Sequence, residues 1–429
     1  MRRRLFGPAA ATAALGLLGT LTLTGCGTSA GTGSGTTLRL VAAEYGDTAA
    51  TSSKAYWDEV TKAFHDQNPD TSVEVKLLPW TDVDREVTRM VKDGDAPDMA
   101  LMGAYSDFAV AGELYGADEL LSVSAEANFL PPLSEAGSIG SRLYGLPWVA
   151  SSRLLFYNKS LFRQAGIDGT PKTWSDLKAD AKALKSAGVK YPYALPLGPE
   201  EAHAESMIWE LSNGGGWADS SGGYNIASDA NVQTFKWIRD NLVRPGLTGP
   251  GEPAAFNRQD AFDAFLRGDV GMLNGYPSLS HEAARRGISV GAIEMPQADW
   301  LAASGETPPT FGVADWMVAF KENGNREPIG RFLDFLYEDK NLEEFAGRYH
   351  LLPSTVTAGR ASKDTTADGT DAQFLTALRG AQLYPVNSPS WLSVSDTIKR
   401  NIGRAVAPDA DPKRVLEDIA EKARSAARD

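Results

Sequence analysis

Cysteine is nearly absent from this chain: among 429 residues, Cys26 is the only one. An intramolecular disulfide is therefore excluded, and stability must come from packing. Histidine is scarce too, and His65, His203, His281 and His350 are not spaced as metal ligands usually are. No Gly-x-Ser-x-Gly nucleophile elbow is present, because that pattern occurs only at residues 27–31 and 287–291 and in neither place follows a predicted strand, and the His-Glu-x-x-His motif is missing. The sequence predicts no cofactor, no metal and no catalytic residue.

Basic residues are also in deficit, since 42 Lys and Arg face 55 Asp and Glu and leave a net charge of −13. This acidity argues against nucleic acid or an anionic membrane surface as a partner, because both need a basic patch. The length exceeds the size at which one hydrophobic core keeps growing, so two domains are expected. The composition therefore predicts a soluble, acidic, two-domain protein with an unusual number of tryptophans, ten in all.

The N-terminus has the pattern of an export signal. Three arginines at positions 2–4 precede an apolar run, Ala9 to Leu23, that is too short to span a bilayer comfortably. Leu23-Thr-Gly-Cys26 resembles a bacterial lipobox, in which the cysteine thiol takes a diacylglycerol group. We expect residues 1–25 to be a lipoprotein signal peptide, with Cys26 lipidated and 26–36 a flexible tether. The alternative is an ordinary signal peptide with a chance cysteine. Lipidation would hold the protein at the extracellular face of the cell membrane by its lipid anchor only.

The first part of the folded chain predicts a parallel sheet. Three apolar runs, at 37–43, 73–77 and 98–102, are separated by two segments with helical periodicity. Such a strand–helix alternation is typical of right-handed crossovers between parallel strands. Ligands bind beyond the carboxyl ends of strands of this kind, which directs attention to Glu44, Tyr45 and Tyr105.

The stretch from Leu143 to Phe162 is predicted to join two lobes. Gly145 and Pro147 punctuate it, and Leu154 to Tyr157 form a continuous apolar run of strand type. A second α/β unit follows, and the last third of the chain is mostly helical. We expect Gly145 to Ser152 to carry the crossing and a ligand contact.

Several motifs, taken in order, resemble one family. The matching segments are the lipobox at Cys26, Gly94-Asp-Ala-Pro-Asp98, Tyr144-Gly-Leu-Pro-Trp148 followed by Leu155-Phe-Tyr-Asn-Lys-Ser-Leu-Phe162, Pro171-Lys-Thr-Trp-Ser-Asp-Leu177, Phe265-Leu-Arg-Gly-Asp-Val-Gly-Met-Leu273, and Phe345 with Leu352-Pro353. They are similar to the extracellular solute-binding proteins of ABC importers, in the carbohydrate-binding group related to maltose- and trehalose-binding proteins.

The resemblance implies an α/β, two-lobed periplasmic-binding-protein-like fold with a ligand cleft between the lobes. It implies a first lobe of residues 37–147 plus 278–325 and a second of 148–277 plus 326–429. The implied function is that of a substrate-binding lipoprotein, not an enzyme, which captures a sugar or oligosaccharide and delivers it to the transmembrane subunits of an ABC permease. Two departures from the family pattern, at Asn274 and at Phe311 to Trp316, indicate that the pocket does not copy the maltose site.

Sugar binding uses aromatic rings that stack on the apolar faces of pyranoses, and carboxylates or amides that bond the hydroxyls. Aromatic residues in loops, with nearby polar residues, are therefore the predicted ligand contacts. They are Glu44, Tyr45, Asp82, Tyr105, Trp148, Trp217, Asn274, Tyr276, Asp315 and Trp316.

Three alternatives stay open at this point. One is an extracellular glycosidase, which needs two carboxylates across a cleft. Another is a binding protein for a different polar solute, such as a glycerol phosphate. The third is an adhesion or scaffold lipoprotein, which would not need a two-lobed α/β body.

Overall fold

A computed structural model describes residues 35–46, 48–219, 222–361 and 369–426. The predicted signal peptide, Cys26 and the tether up to residue 34 lie outside the described residues. Within the described ranges, no helix is both long enough and apolar enough to cross a membrane.

The strands of the described chain are short. They are β1 (Thr36–Ala43), β2 (Thr71–Leu78), β3 (Met99–Met102), β4 (Ser138–Ile139), β5 (Arg142–Leu143), β6 (Leu146–Ser152), β7 (Leu154–Asn158), β8 (Tyr191–Tyr193), β9 (Val270–Gly275), β10 (Val290–Ile293), β11 (Gly312–Ala319) and β12 (Leu352–Pro353).

Helices connect and cover these strands. They are α1 (Lys54–Gln67), α2 (Trp80–Lys92), α3 (Ser106–Val110), α4 (Ala117–Leu120), α5 (Val123–Glu126), α6 (Pro131–Gly137), α7 (Lys159–Gln164), α8 (Trp174–Ser186), α9 (Ala202–Leu211), α10 (Asp229–Ile238), α11 (Arg258–Leu266), α12 (Pro277–Arg285), α13 (Asp299–Ser304), α14 (Arg326–Leu336), α15 (Asp339–Tyr349), α16 (Val356–Ala361), α17 (Thr370–Leu378), α18 (Trp391–Asn401) and α19 (Pro412–Ala426). Short π- and 3₁₀-helical turns lie at Arg239–Val243, Pro253–Ala255 and Ile402–Val406.

The larger sheet has the order β12-β6-β11-β3-β1-β2. Its first three strands in sequence are parallel, as the alternation of strands and helices predicts, whereas β11 runs antiparallel to both β3 and β6. Successive residues of β1 point to opposite faces: Leu38, Leu40 and Ala42 join one apolar cluster, and Val41 and Ala43 join another. The sheet is therefore covered on both faces. We call it, with the helices packed on it, the six-stranded lobe.

The smaller sheet has the order β10-β7-β9-β8, with β8 parallel to β9 and the other pairs antiparallel. Helix α9 covers it: the rings of Trp209 on α9 and Tyr193 in β8 meet edge to face at 5.4 Å. Helices α18 and α19 contact α9 and α10 and so belong to the same body. This body is the four-stranded lobe, and only Arg153 separates β6 of one sheet from β7 of the other.

Sheet membership differs from the predicted lobe division in three places. Strand β6 lies in the six-stranded sheet, although the second lobe was expected to begin at 148. Strand β10 pairs with β7, because the chain returns to the six-stranded sheet only at β11. Helices α14 and α15 pack on the six-stranded sheet, because Ile329, Phe332 and Phe345 share a cluster with Leu38 and Leu40.

Candidate functional site

Arg153, the residue between the two sheets, contacts charged and aromatic side chains of the four-stranded lobe. Its guanidinium donates to Glu201 Oε1 at 2.8 Å and lies 4.7 Å from the ring centroid of Tyr276. The charges of Arg153 and Glu201, at the edge of the four-stranded lobe, both affect the pKa of Asp315 in β11. We call Tyr45, Arg153, Glu201, Tyr276 and Asp315 the cleft cluster.

The six-stranded lobe contributes carboxyl groups that hold their protons unusually tightly. Tyr45 follows β1, and its hydroxyl donates to Asp315 Oδ2 at 2.7 Å. Burial raises the pKa of Asp315 to about 7, although the hydrogen bond from Tyr45 opposes that rise. Nearby, Asp84 on α2 accepts from the backbone amide of Gly103 at 2.8 Å, and burial raises its pKa to about 6.

The four-stranded lobe contributes a mixed-charge network. Glu201 lies just before α9 and is paired with Arg153 and, at 2.7 Å, with Arg258 on α11. Burial alone would raise the pKa of Glu201, but the two guanidinium groups lower it below its ordinary value. The Tyr276 ring is close to both cations, with the Arg258 guanidinium carbon 5.3 Å from its centroid. Glu200 completes the network by pairing with Arg258 at 2.5 Å.

A stacked pair beside the network has unsatisfied polar atoms. The rings of His203 and Tyr384 are parallel within 2° and have centroids 4.6 Å apart. His203 Nδ1 and the Tyr384 hydroxyl are buried and have no hydrogen-bond partner among the described residues. Burial lowers the pKa of His203 well below its ordinary value, and Lys399 and Arg153 lower it further. The hydrogen-bonding capacity of His203 Nδ1 and of the Tyr384 hydroxyl is therefore unused by the described residues.

A cavity of about 680 Å³ lies at the edge of the four-stranded sheet, and of the cleft cluster Arg153 alone lines it. Its other lining residues include Leu154, Lys172, Gln297 and Phe311. Its volume lies within the range of small-molecule sites, which is about 300 to 1,000 Å³.

Trp148 was predicted to contact ligand, and its position corrects that prediction. Its side chain is 0% exposed, in a strand whose seven residues are all buried. The ring stacks on Trp57 at 5.8 Å and touches Phe345 at 5.0 Å, within the apolar cluster between the sheet and helices α1 and α15. A residue enclosed in this way stabilises the six-stranded lobe and offers no face to a ligand.

Three other predicted aromatic contacts are also core residues. Trp316 and Tyr105 are buried against one another at 5.7 Å, and the Tyr105 hydroxyl donates to the carbonyl of Ala136 at 2.7 Å. Trp217 is fully buried, and its indole nitrogen donates to the carbonyl of His203 at 3.1 Å. Trp148 and Trp316 lie in strands and not in the predicted loops, and Tyr105 and Trp217 are buried although they lie outside strands and helices.

Two of the predicted polar contacts, Asn274 and Asp82, have partners outside the cleft cluster. The Asn274 amide donates to the Tyr193 hydroxyl at 2.9 Å and to Glu205 at 3.0 Å inside the four-stranded lobe, so it is a buried structural group. Asp82 forms an ion pair with Arg85 at 2.6 Å on the surface of α2.

Glu44 accepts hydrogen bonds from Gly46, Ser52 and Ser53, which order the loop after β1 next to Tyr45. Of the ten predicted residues, Tyr45 and Asp315 are hydrogen-bonded to each other, and Tyr276 packs against Arg153, whose charge affects the pKa of Asp315.

Arg153 and Glu201 of the cleft cluster were not predicted from the sequence, nor was Glu200, which pairs with Arg258 next to the cluster. Arg153 follows directly after the predicted crossing, and Glu200 and Glu201 follow the strand at Tyr191 to Leu197. A charged residue at the end of an apolar run could have indicated each of these positions, because ligands bind beyond the carboxyl ends of strands.

Comparisons with known proteins find relatives that match most of the chain. The model of the family described as bacterial extracellular solute-binding protein matches residues 49–343. A Brucella abortus (strain 2308) protein, named only as a binding protein, is 28% identical over 414 residues, which are 95% of this chain and 97% of that one. The sn-glycerol-3-phosphate-binding periplasmic protein UgpB of Escherichia coli (strain K12) is 26% identical over 265 residues, 58% of this chain and 60% of that one.

Among solved structures, a similar one is an ABC transporter solute-binding protein from Thermotoga lettingae bound to α-D-tagatose. Its TM-score is 0.74 at 19% identity, and the match covers 91% of this chain and 100% of that chain. This likeness shows the two-lobed fold.

Proposed function

Because the chain belongs to the bacterial extracellular solute-binding protein family, we propose that it captures a sugar or oligosaccharide between its two lobes. The observation that carries this proposal is the composition of the cleft cluster. Tyr45 and Tyr276 supply aromatic rings, Asp315 and Glu201 supply carboxyl groups, and Arg153 supplies guanidinium donors. Rings with charge-assisted hydrogen-bonding groups are what a pyranose and its hydroxyls need.

In this proposal, ligand binding shifts an equilibrium between open and closed arrangements of the lobes. Tyr45 and Asp315 belong to the six-stranded lobe, whereas Glu201 and Tyr276 belong to the four-stranded lobe. A ligand touching both sets gains its full contact energy only when the lobes are together, and therefore favours the closed form. The closed receptor would then dock on the transmembrane subunits of an ABC permease.

The direct test is calorimetry with maltose, maltotriose, trehalose and tagatose, comparing the native protein with Tyr276→Ala and Trp148→Phe. We expect Tyr276→Ala to weaken binding of the preferred sugar by about 2 kcal/mol or more, as for a buried aromatic anchor. Trp148→Phe is the matched control, since it changes an aromatic residue outside the cleft cluster. Equal affinities of Tyr276→Ala and the native protein would remove Tyr276 from the site.

A glycerol phosphate is the second candidate, because the matching segment of the Escherichia coli relative is 26% identical. The pairing of Arg153 and Arg258 with Glu201 disfavours it, since a phosphate would compete with a carboxylate already in place. Competition between sn-glycerol 3-phosphate and the preferred sugar distinguishes the two classes. Tight binding of the phosphate alone would favour the second candidate.

We also propose that the chain is a receptor and not a glycosidase. Members of its family are binding proteins, and the charged groups of the cleft cluster pair with one another in a way that suits binding. Incubation of the preferred oligosaccharide with the protein, followed by chromatography, should return it intact. Hydrolysis that is lost in Asp315→Asn would contradict this proposal.

Membrane attachment through Cys26 is a further part of the proposal. It rests on the lipobox-like Leu23-Thr-Gly-Cys26 and on the following Gly/Ser/Thr-rich tether. Labelling of cells with a fatty-acid analogue should mark the native protein and leave Cys26→Ser unmarked. Release of both proteins into the medium to the same extent would contradict lipid anchoring.

A further inference from the structure

A short segment before α18 lies between the two lobes. We call residues 385–390 the bridging segment. The four-stranded lobe holds it from one side: the Tyr224 hydroxyl donates to the carbonyl of Pro389 at 2.8 Å, and Ser388 Oγ donates to the carbonyl of Gly222 at 3.2 Å. Both bonds fix the segment to the loop between α9 and α10.

The six-stranded lobe holds the same segment from the other side. Ser106 Oγ donates to the carbonyl of Ser388 at 2.8 Å, and the backbone amide of Ser390 donates to Asp107 Oδ1 at 2.7 Å. Both partners lie at the start of α3, which is attached to its own lobe by the edge-to-face contact of Phe108 with Phe320 at 5.4 Å. The bridging segment is therefore bonded to both lobes at once.

Ser390 has a backbone conformation that L-residues disfavour. Its φ is 64°, and apart from His350 no other non-glycine residue in the described ranges has a positive φ. The conformation turns the Ser390 amide toward Asp107, so a carboxylate from the opposite lobe satisfies it. Such strain persists only where surrounding contacts determine it.

The bridging segment leads directly into Trp391, the first residue of α18. Trp391 is buried against Tyr384 at 5.4 Å and Tyr224 at 6.3 Å. Tyr384 in turn stacks on His203 beside the cleft cluster. Ser390 is therefore adjacent in sequence to an aromatic group that extends to His203.

We propose that Asp107 is a positioning residue that latches the closed cleft by holding the Ser390 amide across the lobe boundary. When the lobes separate, Asp107 leaves with α3, the Ser390 amide loses its charged acceptor, and the start of α18 is no longer tied to the six-stranded lobe. The latch stabilises the closed form without touching ligand. This inference rests on the proposed function in so far as closure serves ligand capture.

The test measures the lobe arrangement directly in the full chain. Spin labels on Glu74→Cys in β2 and Lys182→Cys in α8, both exposed, in a Cys26→Ser background, report the interlobe distance by pulsed electron resonance. Without ligand, Asp107→Ala should lower the closed fraction several-fold relative to the native sequence. Asp229→Ala, which changes an exposed aspartate in the first turn of α10, is the matched control and should leave it unchanged.

Binding kinetics of the tightest-binding sugar of the calorimetric panel supply the second readout. Asp107→Ala should raise the dissociation rate about five- to tenfold, as for one charge-assisted hydrogen bond at an exposed site, and should change the association rate much less. Asp107→Asn keeps an acceptor oxygen and should show a smaller effect. If Asp107→Ala does not fold, the interlobe distance and dissociation rate of Asp107→Asn test the latch instead.

Identical interlobe distances in Asp107→Asn, Asp107→Ala and Asp229→Ala would overturn the latch. If the native protein binds no sugar, the proposed function fails, yet the ligand-free distances still test the latch. A shifted distance distribution without sugar binding would therefore support the latch and reject the sugar.

Discussion

Neutralising Glu201 should destabilise the protein measurably, because this carboxylate compensates two cations. In Glu201→Gln, Arg153 keeps its charge and loses its carboxylate partner, whereas Arg258 loses one of two partners and keeps Glu200. The Arg153 side chain is only 7% exposed, whereas that of Glu201 is 21% exposed. Breaking a fully buried pair costs about 3 to 5 kcal/mol, and the partial exposure lowers the expected loss in free energy of unfolding to about 2 to 3 kcal/mol.

Urea denaturation followed by tryptophan fluorescence measures this loss. Asp58→Asn is the control, because it removes a solvent-exposed ion pair with Lys54 and should change stability by less than about 0.5 kcal/mol. The double variant Glu201→Gln/Arg153→Met should lose less than Glu201→Gln alone, since the uncompensated cation is removed with its partner. A Glu201→Gln loss no larger than that of Asp58→Asn would refute the reasoning.

Three further predictions concern the same lobes. Asp315 has a pKa of about 7 in the folded state against an ordinary value of 3.8, so the folded protein keeps a proton that the unfolded chain has released between about pH 4 and 7. The contribution of Asp315 to stability therefore falls as pH rises from about 4 to 7. In urea titrations over this range, the free energy of unfolding of Asp315→Asn should rise relative to that of the native protein. A difference that does not change with pH would contradict the raised pKa of Asp315. Trp148→Ala should lower the free energy of unfolding by about 3 to 5 kcal/mol while the folded fraction binds sugar with native affinity by calorimetry, and a selective loss of affinity would return Trp148 to the site. Asn274→Leu should lower stability by about 1 to 3 kcal/mol, because Tyr193 and Glu205 lose a buried donor, and an unchanged urea midpoint would contradict that role.

The fold class and the family were predictable because they depend on patterns that local sequence carries. Helical spacing of Trp57, Val60 and Phe64 predicted a buried face, and all three residues are buried. The alternation of strands and helices predicted the parallel pairing of β1 with β2 and β3, which the structure confirms. The family prediction is confirmed by the match over residues 49–343.

The candidate site was less predictable, for a physical reason. Every residue of β6 is buried, so the strand shows no alternation that could tell which face Trp148 takes. The Arg153–Glu201 and Arg258–Glu201 pairs depend on how separate strands and helices pack, which no local pattern contains. The sequence therefore could not predict that Arg153 is buried, because a charge is buried only where the fold supplies a partner such as Glu201.

In the six-stranded sheet, strands that are distant in sequence lie next to each other, and this affects folding during synthesis. Strand β3 pairs with β11 through Met102 and Trp316, and β6 needs β12 at Leu352 and Pro353 to complete its other edge. During synthesis β3 and β6 therefore emerge long before β11 and β12, and the six-stranded sheet stays incomplete until most of the chain has been translated. Pairings so distant in sequence slow folding and leave strand edges exposed meanwhile. We therefore expect β3 and β6 to keep unpaired edges until β11 and β12 have been made.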